Sequence, residues 1–164
     1  MKIKKITVTG ISVSLAMILS YLESMIPSFV PVPGIKIGLS NLVIVILLYS
    51  SGTADAFLTD IIKIILSSVL FGTPLSFLFS LAGGLFSFFT MWLLKKTDRL
   101  SVISISAAGG VCHNTGQLVM AIFILKSPAL YYYLPALMAG GLLTGLFNGF
   151  VSAELNLYLK DIVF

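Results

Sequence analysis

The sequence predicts an all-α membrane protein of about six transmembrane helices, and three observations carry that reading. Hydrophobic residues make up 58% of the 164 positions and charged residues only 10%, where a globular domain carries about a quarter charged residues. The apolar residues run in six segments parted by short stretches rich in helix breakers. The basic residues collect at the segment ends that fall on one side of such a bundle. A span takes roughly 20 residues of helix, so six nearly exhaust the chain. One integral membrane domain over residues 1–164 is expected, with the lipid bilayer as its surroundings.

The segments cover residues 6–25, 37–49, 54–71, 75–94, 101–125 and 134–159. The first follows MKIKK and so resembles the start of a signal peptide. No small-x-small cleavage site precedes Glu23, and it reads as a retained helix. Pro27, Pro31, Pro33 and Gly34 divide it from the second. The second is short for a full span and is either tilted or begun inside the preceding loop. Ser50, Ser51 and Gly52 end it, and Gly72-Thr73-Pro74 separates the third from the fourth. The polar run from Lys95 to Arg99 precedes the fifth, and Lys126-Ser127-Pro128 follows it. Tyr131, Tyr132 and Tyr133, just before the sixth, read as an interfacial aromatic belt, a ligand-contacting lip being the alternative.

The charge distribution sets an orientation. With the N-terminus inside, Lys2, Lys4, Lys5, Lys95, Lys96, Arg99 and Lys160 lie on the cytoplasmic side and only Lys36 and Lys126 outside. Seven against two is a clear positive-inside bias. Both termini are expected in the cytoplasm, and the chain in the cytoplasmic membrane of a prokaryote. The net charge of +4 then reports topology and gives no reason to invoke nucleic acid.

Polar groups are costly in hydrocarbon, so each needs a partner or a purpose. They are Glu23, Asn41, Asp60, Lys63, His113, Asn114, Gln117, Asn148 and Glu154. Asp60 and Lys63 lie three apart on one helix face and can pair with each other; a ligand role for Lys63 is the alternative. His113 and Gln117, four apart, share a face of the fifth segment with Asn114 beside them. Gly109, Gly110 and Gly116 around them let a helix or a ligand approach closely. The first loop, PSFVPVPGIKIGLSN, delivers Lys36 and Asn41 to the N-terminus of the second segment, where free N–H groups favour an anion. An ordinary snorkelling lysine is the alternative there. Threaded in and out of the membrane, Asn41, Lys63, His113, Gln117 and Asn148 share a depth. The expectation is an outward-opening pocket with Lys63, His113, Asn114 and Gln117 in its wall, Lys36 and Asn41 at its mouth, and Asn148 at the same level. No role is assigned to Glu23 or Glu154.

Small residues recur at helical spacing in two places. Gly141, Gly145 and Gly149 in the sixth segment read as close packing within the bundle rather than as a dimer seam. Ser12, Ala16 and Ser20 in the first, with Gly10 and Ser14 on a neighbouring face, offer either a dock for another membrane subunit or packing inside the bundle.

Other chemistry is disfavoured by what the chain lacks. It has no Gly-rich loop ending in Lys-Ser/Thr for ATP hydrolysis, and its one histidine has no serine–acid set around it. The carboxylates are too scattered for a Mg²⁺ cluster. Cys112 stands alone, without an intrachain disulfide or a metal motif. No catalytic role, cofactor or metal is expected.

The stretches VPGIKIGLSNLVIVILLYSSG, SSVLFGTPLSFLFSLAGGLFSFFTMWLLKK, AAGGVCHNTGQLVMA and YYYLPALMAGGLLTGLFNG resemble the Gx transporter family, also labelled heptaprenyl diphosphate synthase component I, over about residues 6–155. The most specific elements are His113, Asn114, Gly116 and Gln117, and the run from Pro31 to Asn41. That family commonly has an arginine where this chain has Lys63, and a lysine grips an anion less well than a bidentate arginine. The family is similar in turn to the S components of energy-coupling factor transporters. The resemblance implies a six-helix bundle that binds a small nutrient near its outer face and works with a T component and two ATPases. It also implies that Ser12, Ala16 and Ser20 meet the T component. The synthase label implies instead a non-catalytic membrane component that binds an isoprenoid diphosphate or assists a soluble synthase.

Overall fold

The computed structural model describes residues 2–26, 36 and 38–163, with side chains over 6–26, 36 and 38–158. Pro31, Pro33 and Gly34 of the first loop lie outside the described residues, as do the side chains of Lys2, Lys4, Lys5 and Lys160. The described residues form six α-helices: α1 (Lys2–Met25), α2 (Asn41–Ser50), α3 (Thr53–Phe71), α4 (Pro74–Lys95), α5 (Val102–Leu125) and α6 (Leu134–Val163). A short 3-10 helix, Pro128–Tyr133, leads into α6. The fold is an all-α membrane bundle.

Local chemistry sets the boundaries. Pro74 occupies the first turn of α4, behind a reciprocal cap. Thr73 Oγ1 accepts from the Ser76 N–H at 3.1 Å, and Ser76 Oγ accepts from the Thr73 N–H at 2.8 Å. Ser101 caps α5 through the Ser104 N–H. At the C-terminus of α2 the Lys95 ammonium donates to the Leu48 carbonyl and lies 4.6 Å from the centre of the Tyr49 ring.

Four helical stretches are long and apolar enough to cross a membrane, over Ile6–Met25, Pro74–Lys95, Val102–Leu125 and Pro128–Tyr158. The 19-residue α3 has the length but carries Asp55, Asp60 and Lys63, all buried. With 10 residues, α2 rises about 15 Å, roughly half the hydrocarbon thickness. It starts later than its apolar run does because Gly38, at φ +95°, cannot continue a right-handed helix. Gly38–Ser40 form a turn instead, closed by the Asn41 N–H on the Gly38 carbonyl at 3.1 Å.

In this bundle α5 packs against α4 and α6, α2 sits between α3 and α6, and α1 flanks α2 and α3. The contact of α5 with α6 is backbone on backbone: a Cβ built on Gly110 would come within 2.1 Å of the Gly141 carbonyl oxygen. Gly145 and Gly149 continue the stripe against Ala107 and Ile103, the intramolecular packing their spacing suggested.

Polarity is distributed inside out. Among the described residues, 19 buried side chains are polar or charged and 19 are apolar. The outer surface meanwhile carries Ile11, Val69, Phe123, Leu143, Phe147 and Phe150. A water-soluble core does not hold so many polar groups beneath so apolar a surface, whereas a bilayer selects for that arrangement. Two apolar clusters close the bundle. One gathers Val43, Ile44, Leu47, Leu48, Ala56, Phe88 and Ile105, and the other Phe79, Leu118, Ala121, Leu130 and Leu137. Along α4 and α5 the buried Ser80, Ser87, His113, Asn114 and Gln117 fall between them.

Candidate functional site: a polar cavity beneath the first loop

Between these clusters lies a small cavity walled by Ser20 and Glu23 of α1, Lys36 and Ser40 of the loop, Lys63, Ile64 and Ser67 of α3, Ser80 of α4 and His113 of α5. Its volume is about 10 Å³, the seat of a single water-sized group.

Lys36 and Gly38, described residues of the loop, are held beside it by side chains from three helices. The Gln117 amide of α5 grips the backbone of Lys36 from both sides. Its Oε1 accepts from the Lys36 N–H at 2.9 Å and its Nε2 donates to the Lys36 carbonyl at 3.2 Å. The His113 Nε2 lies 2.5 Å from the same amide nitrogen, one turn below. Glu23 accepts from the Gly38 N–H through Oε1, and Asn148 of α6 donates to the Gly38 carbonyl at 3.1 Å. Gly38 is needed twice over. Its φ is positive, and a Cβ there would lie 3.2 Å from both the His113 ring and the Asn41 amide.

Charge is nearly balanced around the cavity. The Lys63 ammonium pairs with Asp60 Oδ1 at 2.8 Å, so the pairing read from their spacing is present. It also reaches Asn41 Oδ1 at 3.2 Å and Ser40 Oγ at 3.5 Å. The Lys36 ammonium donates to Ser20 Oγ at 3.3 Å. Two ammonium groups and two carboxylates, those of Glu23 and Asp60, therefore occupy one low-dielectric region. Glu23 is 4% exposed, and its second oxygen, Oε2, has no hydrogen-bond partner among the described residues.

The residues singled out in the sequence separate into two groups. Lys36, Lys63 and His113 face the cavity. Asn41, Gln117 and Asn148 stand behind it as supports of Lys63 and of the loop. Asn114 points the other way, donating to the Leu137 carbonyl of α6 at 2.8 Å. It thus belongs to the α5–α6 seam and not to the pocket wall.

The expected docking stripe is corrected as well. Ala16 is 0% exposed and sits in the apolar cluster with α2; Ser20 lines the cavity; Ser12 is half-buried. Small side chains let α1 lie close against its own neighbours, and its outward face carries Ile11, Leu15, Ile18 and Leu22 instead. Sequence reasoning named Glu23 without assigning it a role and did not single out Ser40, Ser67 or Ser80. Glu23 had a signal, a carboxylate within an apolar helix; the serines had none, being common in helix seams.

A sequence profile described as heptaprenyl diphosphate synthase component I matches residues 12–155. The chain belongs to that family. The matched stretch runs from within α1 into α6 and contains every cavity-lining residue of this component I chain. No curated protein and no solved structure matches it.

Proposed function

We propose that this chain is a non-catalytic, membrane-embedded substrate-binding subunit. It captures a small anionic or amphipathic nutrient or cofactor precursor and depends on partner subunits for energy, in the manner of an energy-coupling factor S component. Its place is the cytoplasmic membrane of a prokaryote, with both termini inside. One observation carries the reading: two lysines, a glutamate, a histidine and four serine hydroxyls converge on one cavity inside a bundle whose outside is apolar. Ionisable groups at such depth mark binding or transport pathways in membrane proteins. The T component and ATPases are partners under this reading; a partner meeting α1 meets its exposed isoleucines and leucines.

A second reading is favoured by the family's description. The chain is then a membrane component that holds an isoprenoid diphosphate for a soluble synthase. The experiment that separates the two uses the purified chain in lipid nanodiscs. Co-purification of a water-soluble small molecule that is displaced by excess of the same compound supports the uptake subunit. Saturable binding of heptaprenyl diphosphate, with faster prenyl elongation by an added soluble synthase, supports the second reading and overturns the first.

A further inference from the structure

Two cavity-lining residues, Glu23 and His113, each keep one buried polar atom without a hydrogen-bond partner among the described residues, Oε2 and Nδ1 respectively. Glu23 Oε1 is taken by the Gly38 N–H, but Oε2 is buried and unpartnered among the described residues. A buried carboxylate oxygen without a donor is costly, and donation from a bound molecule removes that cost. On the other side, Lys63 is already neutralised by Asp60, whereas the Lys36 ammonium donates to the Ser20 hydroxyl.

We infer that the molecule taken by this cavity is amphoteric, placing an anionic group against Lys36 and a hydrogen-bond-donating nitrogen against Glu23. The inference rests on the substrate-binding reading and specifies its ligand class. The charge balance decides against the alternatives. The two lysines and two carboxylates sum to zero, so a molecule with both signs enters without leaving net charge in the low-dielectric interior. A multiply charged diphosphate brings several negative charges to a site whose cations are largely compensated. A plain carboxylic acid satisfies Lys36 and leaves Glu23 Oε2 bare. The cavity as it stands fits only a water-sized group, so binding requires the side chains around it to move apart.

The test is equilibrium dialysis of the full-length chain in lipid nanodiscs against a water-soluble metabolite extract, with mass-spectrometric readout of the compounds enriched. Wild type is compared with Glu23→Gln, Lys36→Met and, as a control on an exposed carboxylate, Glu154→Gln. The compounds enriched by wild type and by Glu154→Gln carry both an acidic group and an amine or other N–H donor. Enrichment falls at least tenfold in Glu23→Gln, whose amide keeps an acceptor for the Gly38 N–H, and falls likewise in Lys36→Met. If Glu23→Gln melts well below wild type, Lys36→Met decides in its place. The inference is overturned if the enriched compounds are purely anionic, or if a folded Glu23→Gln enriches them as well as wild type does. If wild type enriches nothing, the substrate-binding reading itself fails, an outcome distinct from the other two.

Discussion

Gln117 holds Lys36 as a neighbouring strand would, accepting from its N–H at 2.9 Å and donating to its carbonyl at 3.2 Å, across 81 positions of sequence. Through this contact the HNTGQ segment of α5 is tied to Lys36, two residues before the Gly38–Ser40 turn that leads into α2. Replacing Gln117 by Leu leaves both backbone groups of Lys36 without their side-chain partner, at a cost of about 2 kcal/mol or more. Gln117→Glu keeps the acceptor but sets a second buried oxygen against the Lys36 carbonyl, so it is destabilised as well. Thermal melts in nanodiscs are expected to place both variants below wild type, and melts equal to wild type would show that the Lys36 backbone does not depend on Gln117.

Gly38 carries the turn that Gln117, Glu23 and Asn148 grip. Alanine at this position combines φ +95° with contacts of 3.2 Å to His113 and Asn41, and strain of this kind costs on the order of 1–3 kcal/mol. A lowered melting temperature is expected, with faster amide exchange at residues 38–41. Exchange rates equal to wild type would show that the turn does not depend on the glycine.

Asp60 and Lys63 form a buried ion pair at 2.8 Å. Asp60→Asn leaves the ammonium uncompensated, and breaking one side of such a pair costs about 3–5 kcal/mol. The double variant Asp60→Asn with Lys63→Met removes the stranded charge and is expected to regain much of that loss. A double variant no more stable than Asp60→Asn alone would show that the pair is not the main role of Asp60.

The α5–α6 seam is tested by a pair of glycines. A Cβ on Gly110 meets the Gly141 carbonyl oxygen at 2.1 Å, while one on Gly10 meets nothing within 4 Å. Gly110→Ala forces two backbones apart, at about 1–3 kcal/mol or more. Gly10→Ala on the exposed face of α1 is neutral or stabilising by up to about 1 kcal/mol. Equal melting temperatures for the two variants would argue against the close seam.

Orientation is tested by labelling. In a Cys112→Ser background, a cysteine at Ser127 is expected to react with a membrane-impermeant maleimide from outside intact cells, and one at Thr97 only after the inner face is opened. These sites follow α5 and α4 respectively, at opposite ends of the bundle. The reverse pattern would move the cavity to the cytoplasmic half.

The helical membrane bundle was legible in the sequence because hydrophobicity is additive along a chain. Long apolar runs need a bilayer, and breakers such as Gly72-Thr73-Pro74 end helices through local backbone chemistry. The small-residue stripe of Gly141, Gly145 and Gly149 was legible for the same reason, since its spacing alone puts it on one face. Which polar residue faces which was not legible. Asn114 and Gln117 are three positions apart, yet one bonds Leu137 of α6 and the other Lys36 of the loop. The direction each takes depends on which neighbouring helix lies against that side of α5. Ala16 and Ser20 likewise look the same in sequence whether they face a partner or the protein's own interior; the packing of α1 against α2 and α3 put them inside. Glu23 entered the cavity wall only because the turn at Gly38 folds back to meet it. Sequence determined the elements and the polar inventory, which local and additive forces control. Tertiary structure decided the pairings, because each buried polar group in hydrocarbon takes the partner that packing brings within hydrogen-bond reach.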